Sequence, residues 1–540
     1  MYDIALGGIT VSEATGSDQP IVRLPTATTG FVGRALRGPL NHPVRVRSFA
    51  EFQQVFGGLW QPSMLAYAVE QFFENGGREA VVVRVVNGAT PATISLPCGA
   101  TTLTLEALSP GSREVLRASV DYDNIEPGED DRFNLVLQRV RSPGSELVEE
   151  QEIHRRLSMD TASSRFVAAV LDDSRLVRVH DVIPGTRPDI TRHADPRAQI
   201  GYVACNADGD DGEPLSDYDV IGNEHRRSGL FALQGAAHFS LLCIPPLERE
   251  RDVGMSTLLV AGRLCRQRHA LLLVDPPHDW NTAGKAIDGM RRWPFHSSDA
   301  ALYFPRIVAH DRLRGRAEIF ASCGAAAGML ARRDRLMPVW QEEEGDAVPL
   351  RPSLRPAIEL QEVERQLLAN YGVNTFGPAR GASLRRFAAR SLGATVGATV
   401  EPRLLAGRRL AQLITASVER GTRWVLYRTP DAARRQLVAA QVLTLLEGFA
   451  AEGAFAPGPD HCFVICDERL NGPGTGRAGE FRLLFGYAPV RSGQYQAWMT
   501  THRPGGSVTR AVTVNRMVTV GDRVEIEVES SILRNLNTLD

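Results

Sequence analysis

The sequence predicts a multidomain α/β and α+β fold, with a core interrupted by a β-rich insertion and flanked by terminal strand arms. Three observations carry this expectation. Apolar strand-like runs alternate with amphipathic helical patterns over residues 26–87 and again from 201 onward, the order that makes α/β layers. Between 88 and 200 the texture changes to short alternating runs such as ATISL (92–96), TLTLEAL (102–108) and FNLVLQRV (133–140), punctuated by proline and glycine, which reads as a β-rich unit. Period-two patterns recur near both ends of the chain. At 540 residues the chain exceeds a single core, since one domain takes roughly 150 residues. The expected division is an N-terminal arm (1–25), the N-terminal part of the α/β core (26–87), the β-rich insertion (88–200), a middle α/β domain (201–350), a C-terminal core (351–489), and a C-terminal arm with extra strands (490–540).

In chain order, Ile9 and Val11 alternate with polar neighbours in GGITVSE (7–13), a short strand with no hairpin partner nearby in the sequence. Pairing elsewhere, with another chain included, is open. Ser48 and Glu51 have the spacing of a capping box that starts a helix ending at Gly57-Gly58. A second helix over 63–74 should bury Leu65, Ala68, Val69, Phe72 and Phe73, and AVVVRVV (80–86) returns as a buried strand. Farther on, FSLLCIPP (239–246), a helix over 252–267 and ALLLVDPP (270–277) make a βαβ crossover. An acidic, proline-bearing connector follows at 341–356.

The rest is organised around residues 372–467. A loop (372–392) leads into a helix over 404–420, in which Leu404, Leu405, Ile414 and Val418 are helically spaced and Gly421 supplies a left-handed cap. GTRWVLYRTP (421–430) reads as a strand. A second helix (431–452) carries the stripe Leu437, Val438, Gln441, Val442, Leu445, Leu446 and Phe449, and CFVICDERLN (462–471) reads as a further strand, both strands expected to be covered on two faces. Tyr495, Ala497 and Met499 share one strand face, and two more alternating segments follow toward Asp540.

These phrases, in this order, resemble those of contractile tail sheath proteins, which form the sleeve around the tube of contractile phage tails, phage-derived bacteriocins and related injection systems. The matching segments are Gly8 to Glu13, Gly30-Phe31-Val32-Gly33 through Gly57-Gly58, the 301–308 segment, the helix and tryptophan of 324–340, Ala388-Ala389-Arg390-Ser391-Leu392, Arg408-Arg409-Leu410, Gly421-Thr422-Arg423-Trp424-Val425, Phe463-Val464-Ile465-Cys466-Asp467 and the 479–504 phrase. The resemblance implies a tail-sheath-like core and a structural, non-enzymatic subunit. It implies self-assembly into hexameric rings stacked helically around an inner tube protein, with baseplate and tail terminator or cap proteins as further partners, and contraction as the mechanism. Assembly would be cytoplasmic, into a phage tail or phage tail-like particle that is released. Ile9 and Val11, with Tyr495, Ala497 and Met499, are the expected subunit-contact arms.

Charge and composition exclude several classes. A net charge of −2 gives no global electrostatic case for nucleic acid, and clusters such as Arg332-Arg333 and Arg408-Arg409 are expected on solvated or interface faces. MYDIALGGIT lacks the regions of a signal peptide, and no run approaches the roughly 20 apolar residues of a membrane span, so membrane insertion is not expected. Seven cysteines do not make a disulfide framework, and Cys462 and Cys466 should be small buried residues.

No catalytic, cofactor or metal residue is assigned. Gly472-Pro473-Gly474-Thr475-Gly476 lacks the lysine of a phosphate loop; Asp208, Asp210, Asp211 and Glu213 lack the spacing of a calcium loop; His225 near Glu224 and His278 near Asp275 lack a nucleophile. The alternatives are a nucleotide-binding α/β enzyme built on 239–277, or another tube or baseplate component of the same machine. Against the enzyme, Pro245-Pro246-Leu247-Glu248 stands where a glycine-rich turn is required.

Overall fold

The computed structural model describes all residues except 1–3, 7–8, 12–19, 181, 193–199, 207, 342–349, 377–388, 394–403, 428–430, 459, 473–478, 491–494, 521–522 and 529–540. The chain is α/β and α+β and multidomain. Its largest layer is a seven-stranded sheet in the order Val373–Thr375, Ala300–Phe304, Leu271–Val274, Leu241–Cys243, Thr29–Gly33, Ala80–Arg84 and Val44–Val46. All neighbours are parallel except the last pair. Such a sheet must be covered on both faces, and its strands Ala300–Phe304, Leu271–Val274 and Leu241–Cys243 are accordingly apolar throughout. Alternate residues serve the two sides: Leu242, Leu272 and Leu302 join a cluster under the helix Met255–Arg268, whereas Leu241, Leu271 and Phe31 join one under Leu65–Asn75 and Cys323–Arg333.

Local sequence sets these elements as expected. The Ser48 hydroxyl accepts from the Glu51 amide at 3.1 Å and starts the helix Phe49–Phe56, although Glu51 reaches back to the amide of Arg47 rather than to that of Ser48. Gly324 and Gly328 let Cys323–Arg333 cross Leu65–Asn75 at close range, since a Cβ on either would lie 2.1 Å from the Ala68 carbonyl oxygen or 2.4 Å from that of Phe72.

The insertion forms two antiparallel sheets around its own apolar cluster, which includes Ile94, Leu105, Leu135 and Leu171. Its strand pairing continues past residue 200. Val203–Ala204 pairs with Leu116–Asp121, and the two connecting chains are bridged at Asn87–Glu213 and Thr90–Asp210. The β-rich unit therefore closes at a neck reaching residue 213. Its aspartates hold this neck: Asp208 accepts from the amide and hydroxyl of Thr93, and Asp211 from those of Ser112. Arg84, 1% exposed, spans the neck by donating to the carbonyls of Ala35, Gly38 and Pro110 and to Ser109 Oγ. Burial lowers its pKa to about 10, so it stays charged at neutral pH.

The C-terminal unit holds the largest departure from expectation. Residues 421–427 are not a strand: the helix Leu405–Thr422 runs on through Gly421, and a 3-10 turn at Arg423–Tyr427 ends it. The apolar run Trp424-Val425-Leu426-Tyr427 fits a helix end as well as a strand, and only Val425 is buried. The helix Ala432–Ala451, capped by Asp431, buries the predicted stripe from Val438 to Phe449. Four antiparallel strands follow in the order Cys462–Ile465, Phe481–Tyr487, Gln496–Arg503 and Gly506–Val512. Cys462–Ile465 is an edge strand alternating half-buried and buried positions, not a strand covered on both faces. Val514–Val520 and Arg523–Val528 form a separate hairpin. Among the described residues no helix is long and apolar enough to cross a membrane.

Candidate functional site

The candidate site is the region where the N-terminal segment, the helix Leu405–Thr422 and the C-terminal sheet meet. The helix is fixed to the seven-stranded unit by two adjacent arginines. Arg408 donates to Asp299 Oδ1 through Nε at 2.8 Å and Nη2 at 2.5 Å, and Gln412 adds a third bond to the same oxygen at 2.8 Å. Arg409 grips both oxygens of Asp334, at 2.7 and 2.5 Å, with side chains 5% and 4% exposed. Asp334 follows the helix Cys323–Arg333, where a carboxylate opposes the helix dipole, so the guanidinium offsets both charge and dipole. The expectation of a solvated or interface face for Arg408-Arg409 is thus corrected. Arg333 is also buried, while Arg332 is half-buried.

Residues 20–28 lie as a strap across this helix. Thr26 donates to Asp334 Oδ2 at 2.7 Å and its carbonyl accepts from Arg409, while the Leu24 amide donates to Ser417 Oγ at 3.1 Å. Arg23 stacks 3.9 Å from the Phe449 ring centroid and pairs with Glu452 at 2.8 Å. Ile21 packs on Gly421, where an added Cβ would stand 2.6 Å from Ile21 Cγ2. Gly421 is therefore demanded by the close approach of the strap, not by the left-handed cap the sequence suggested. Gly→Ala inside a helix ordinarily stabilises by up to about 1 kcal/mol. For Gly421→Ala we expect the opposite sign, a loss of about 1–3 kcal/mol in urea denaturation with faster proteolysis near residue 20.

The predicted contact residues fall in two places. Ile9 and Val11 lie in the strand Ile9–Val11, which pairs antiparallel with Ile4–Leu6, Leu6 opposite Ile9 and Ile4 opposite Val11. A hairpin partner is thus available within five residues upstream of Ile9, contrary to the sequence reading. Tyr495, Ala497 and Met499 lie on the face of the sheet opposite the one that packs on the helices Leu405–Thr422 and Ala432–Ala451. Ala497 and Met499 sit on the strand Gln496–Arg503, which is bonded on both edges within the chain, and are buried with Phe463, Ile465 and Leu484. The Tyr495 hydroxyl donates to the Asp460 carbonyl at 2.6 Å. Within the chain, Gln496–Arg503 pairs with Phe481–Tyr487 on one edge and Gly506–Val512 on the other. Among the described residues the outer edge of Cys462–Ile465 has no strand partner.

Glu419 ties the region together. Its carboxylate accepts from His269 at 3.0 Å and from Thr509 at 2.6 Å, joining the end of Met255–Arg268 to the strand Gly506–Val512. Burial pushes this carboxyl up, but the hydrogen bonds from His269 and Thr509 prevail and hold it below its usual range. His502, fully buried between Thr422 and Ser507, is pulled down to about 4 by burial, with Glu419 opposing. The unfolded imidazole titrates near 6.5, so below that pH the unfolded chain binds more protons and stability falls as pH drops from about 6.5 to 4. Between pH 7 and 5 the wild-type chain should lose about 2 kcal/mol more than His502→Gln, read from denaturation curves at the two pH values.

The geometry gives little room for small-molecule chemistry in the core. In a doubly wound sheet a ligand enters beyond the strand carboxyl ends where the strand order reverses. Here that point lies between Thr29–Gly33 and Leu241–Cys243, and Arg34, Ser63, Leu65, Pro245 and Pro246 fill it to a residual cavity of about 10 Å³, room for one water at most. His278 bonds Asp252 rather than Asp275, and Asp275 instead caps the amides of Ser322 and Cys323. Glu224 accepts from Gln234. Most of the 472–476 turn and the acidic part of the 341–356 connector lie outside the described residues.

Neither a family model nor a curated protein matches this sequence. Solved structures do match it. A sheath tail protein of Listeria innocua aligns with TM-score 0.59 at 13% identity, over 90% of this chain and 97% of that one. A sheath tail protein of Desulfitobacterium hafniense aligns with TM-score 0.50 at 11% identity, over 89% and 97%. The fold is that of the sheath tail proteins, and both likenesses run through nearly the whole chain.

Proposed function

We propose that the chain is the sheath subunit of a contractile tail or tail-like injection machine. It polymerises into a helical sleeve around an inner tube, and contraction of the sleeve drives the tube through a target envelope. The observation that carries this reading is the full-length sheath tail protein fold, together with the motif order over the same residues. Hexameric rings stacked helically, seated on a baseplate and closed by a terminator or cap protein, are the arrangement that such a subunit serves. Subunits are made in the cytoplasm and leave it as part of the particle, and the β-rich insertion decorates the outside. No catalytic activity is assigned to the chain.

The arms work by strand addition. The 19 residues before the strap, when extended, reach about 60 Å, enough to cross to a neighbour. The strand bearing Ile9 and Val11 leaves its hairpin and adds to the open edge of Cys462–Ile465 in an adjacent copy, gaining main-chain hydrogen bonds that persist while the linker bends. Tyr495, Ala497 and Met499 give the receiving sheet its apolar second face. Subunits then rotate and slide as rigid bodies, driven by the free-energy difference between two lattice packings.

Sedimentation of the purified chain tests this reading. Fast-sedimenting polymer that dissolves when the arms are removed is expected. A concentration-independent monomer that binds a nucleotide would instead support the α/β enzyme reading.

A further inference from the structure

Outside the candidate site, the strands Ile307–Asp311 and Arg316–Phe320 form a hairpin that packs on the helix Leu65–Asn75, and this contact is independent of the sheath reading. Tyr67, Glu70 and Glu74 share the helix face that meets it. The Tyr67 ring lies 4.9 Å from that of Phe320, and its hydroxyl donates to Asp311 Oδ1 at 3.1 Å. At the hairpin tip, residues 312–315, Arg312 stands 3.2 Å from Glu70 Oε1 and 3.4 Å from Glu74 Oε1. Helix Cys323–Arg333 crosses on another side, with Gly324 at Ala68 and Gly328 at Phe72.

The charge balance around Glu70 is unfavourable to a carboxylate. The residue is 8% exposed, and its Oε1 receives no hydrogen bond despite the nearby guanidinium. Arg312 is itself 61% exposed and shared with Glu74, so water screens its pull. Among the described residues the charged groups acting on Glu70 are Arg312, which favours its ionisation, and Glu74 and Asp311, which oppose it. The other cations of this corner are engaged elsewhere: Arg249 and Arg314 pair with Asp311 and Glu318, and Arg316 with Glu318. Burial pushes the Glu70 carboxyl up to about 7, with Arg312 opposing and Glu74 and Asp311 adding to the rise.

We propose that Glu70 is a pH-sensitive latch for the hairpin tip: protonated, it lets the tip lie closed on the helix, and ionised, it drives the tip to lift so that the carboxylate reaches water. Lifting ends the burial, so the open form has the lower carboxyl pKa, near the ordinary 4.5. The closed form is fully favoured below about 4.5 and loses ground as pH rises through 7, where the effect levels off. From pH 6 to 8 the open-to-closed ratio should grow about tenfold. Leu313, 47% exposed, is carried by the tip, so the latch changes the apolar surface shown there.

Limited trypsin digestion of the full chain reads the latch. The tip and its edge offer Arg312, Arg314 and Arg316, and cleavage under fast opening tracks the open fraction. Fragments cut within 312–316 are quantified by mass spectrometry from pH 6 to 9. The rate at each pH is divided by that for a free peptide of residues 307–320, which cancels the pH dependence of the protease. The ratio should rise about tenfold from pH 6 to 8 in the wild-type chain. It should stay low and flat in Glu70→Gln, whose neutral amide stands in for the protonated acid. Arg312→Gln, which removes the one cation favouring the carboxylate, should move the levelling-off to higher pH, and it decides alone if Glu70→Gln unfolds. The proposal is overturned if the wild-type ratio is flat, if the rise survives Glu70→Gln, if that variant is cut fast throughout, or if Arg312→Gln leaves the profile in place.

Discussion

Replacing Arg409 by alanine should lower the stability of the chain by about 3–5 kcal/mol, the usual consequence of stranding one partner of a buried ion pair. Asp334 would keep the Thr26 hydroxyl and, at 3.7 Å, the Arg333 guanidinium, at the carboxylate-disfavouring end of Cys323–Arg333. The same guanidinium holds the Thr26 carbonyl, so the strap loosens together with the helix. Urea denaturation followed by intrinsic fluorescence measures the loss. The combined change Arg409→Met with Asp334→Leu should recover most of it, because a well-packed apolar pair can replace a buried ion pair at little cost. If Arg409→Ala alone falls within about 0.5 kcal/mol of wild type, the pair does not fasten the helix.

Removing residues 1–19 should have the largest effect on assembly and almost none on folding. Among the described residues the contacts of the strap begin at Ile21, so the truncated chain keeps Ile21 on Gly421, Arg23 on Phe449 and Thr26 on Asp334. Its stability should stay within the range of a surface change, about 0.5 kcal/mol, while polymer disappears from sedimentation profiles. Polar substitution of Ile9 and Val11 together should act in the same direction and less completely, since main-chain bonds supply most of strand addition. Unaltered polymer from the truncated chain would remove these residues from the assembly mechanism.

Much of this organisation is readable from local sequence. Ser48 with Glu51, Asp431 before its helix, and the apolar runs 80–86 and 270–274 declare their elements through near neighbours. What the sequence conceals depends on distant partners. Arg408 and Arg409 look like surface charge because Asp299 and Asp334 lie 109 and 75 residues away. Gly421 looks like a helix cap because Ile21, which forbids a side chain there, is at the other end of the chain. The alternation of Tyr495, Ala497 and Met499 marks a strand face, but periodicity does not say whether the neighbouring strand comes from the same copy; Gly506–Val512 supplies it here. The insertion's neck escapes a sequence reading for a similar reason: Val203–Ala204 is two residues long, too short to show a period.

The measurement that bears most directly on the sheath assignment is negative-stain electron microscopy of the full chain co-expressed with a tube protein of the same particle. Hollow sleeves of uniform diameter coating the tube, with helical striations, are the predicted result, and bare tubes are predicted when residues 1–19 are missing. Bare tubes beside a dispersed, folded full-length chain would contradict the assignment.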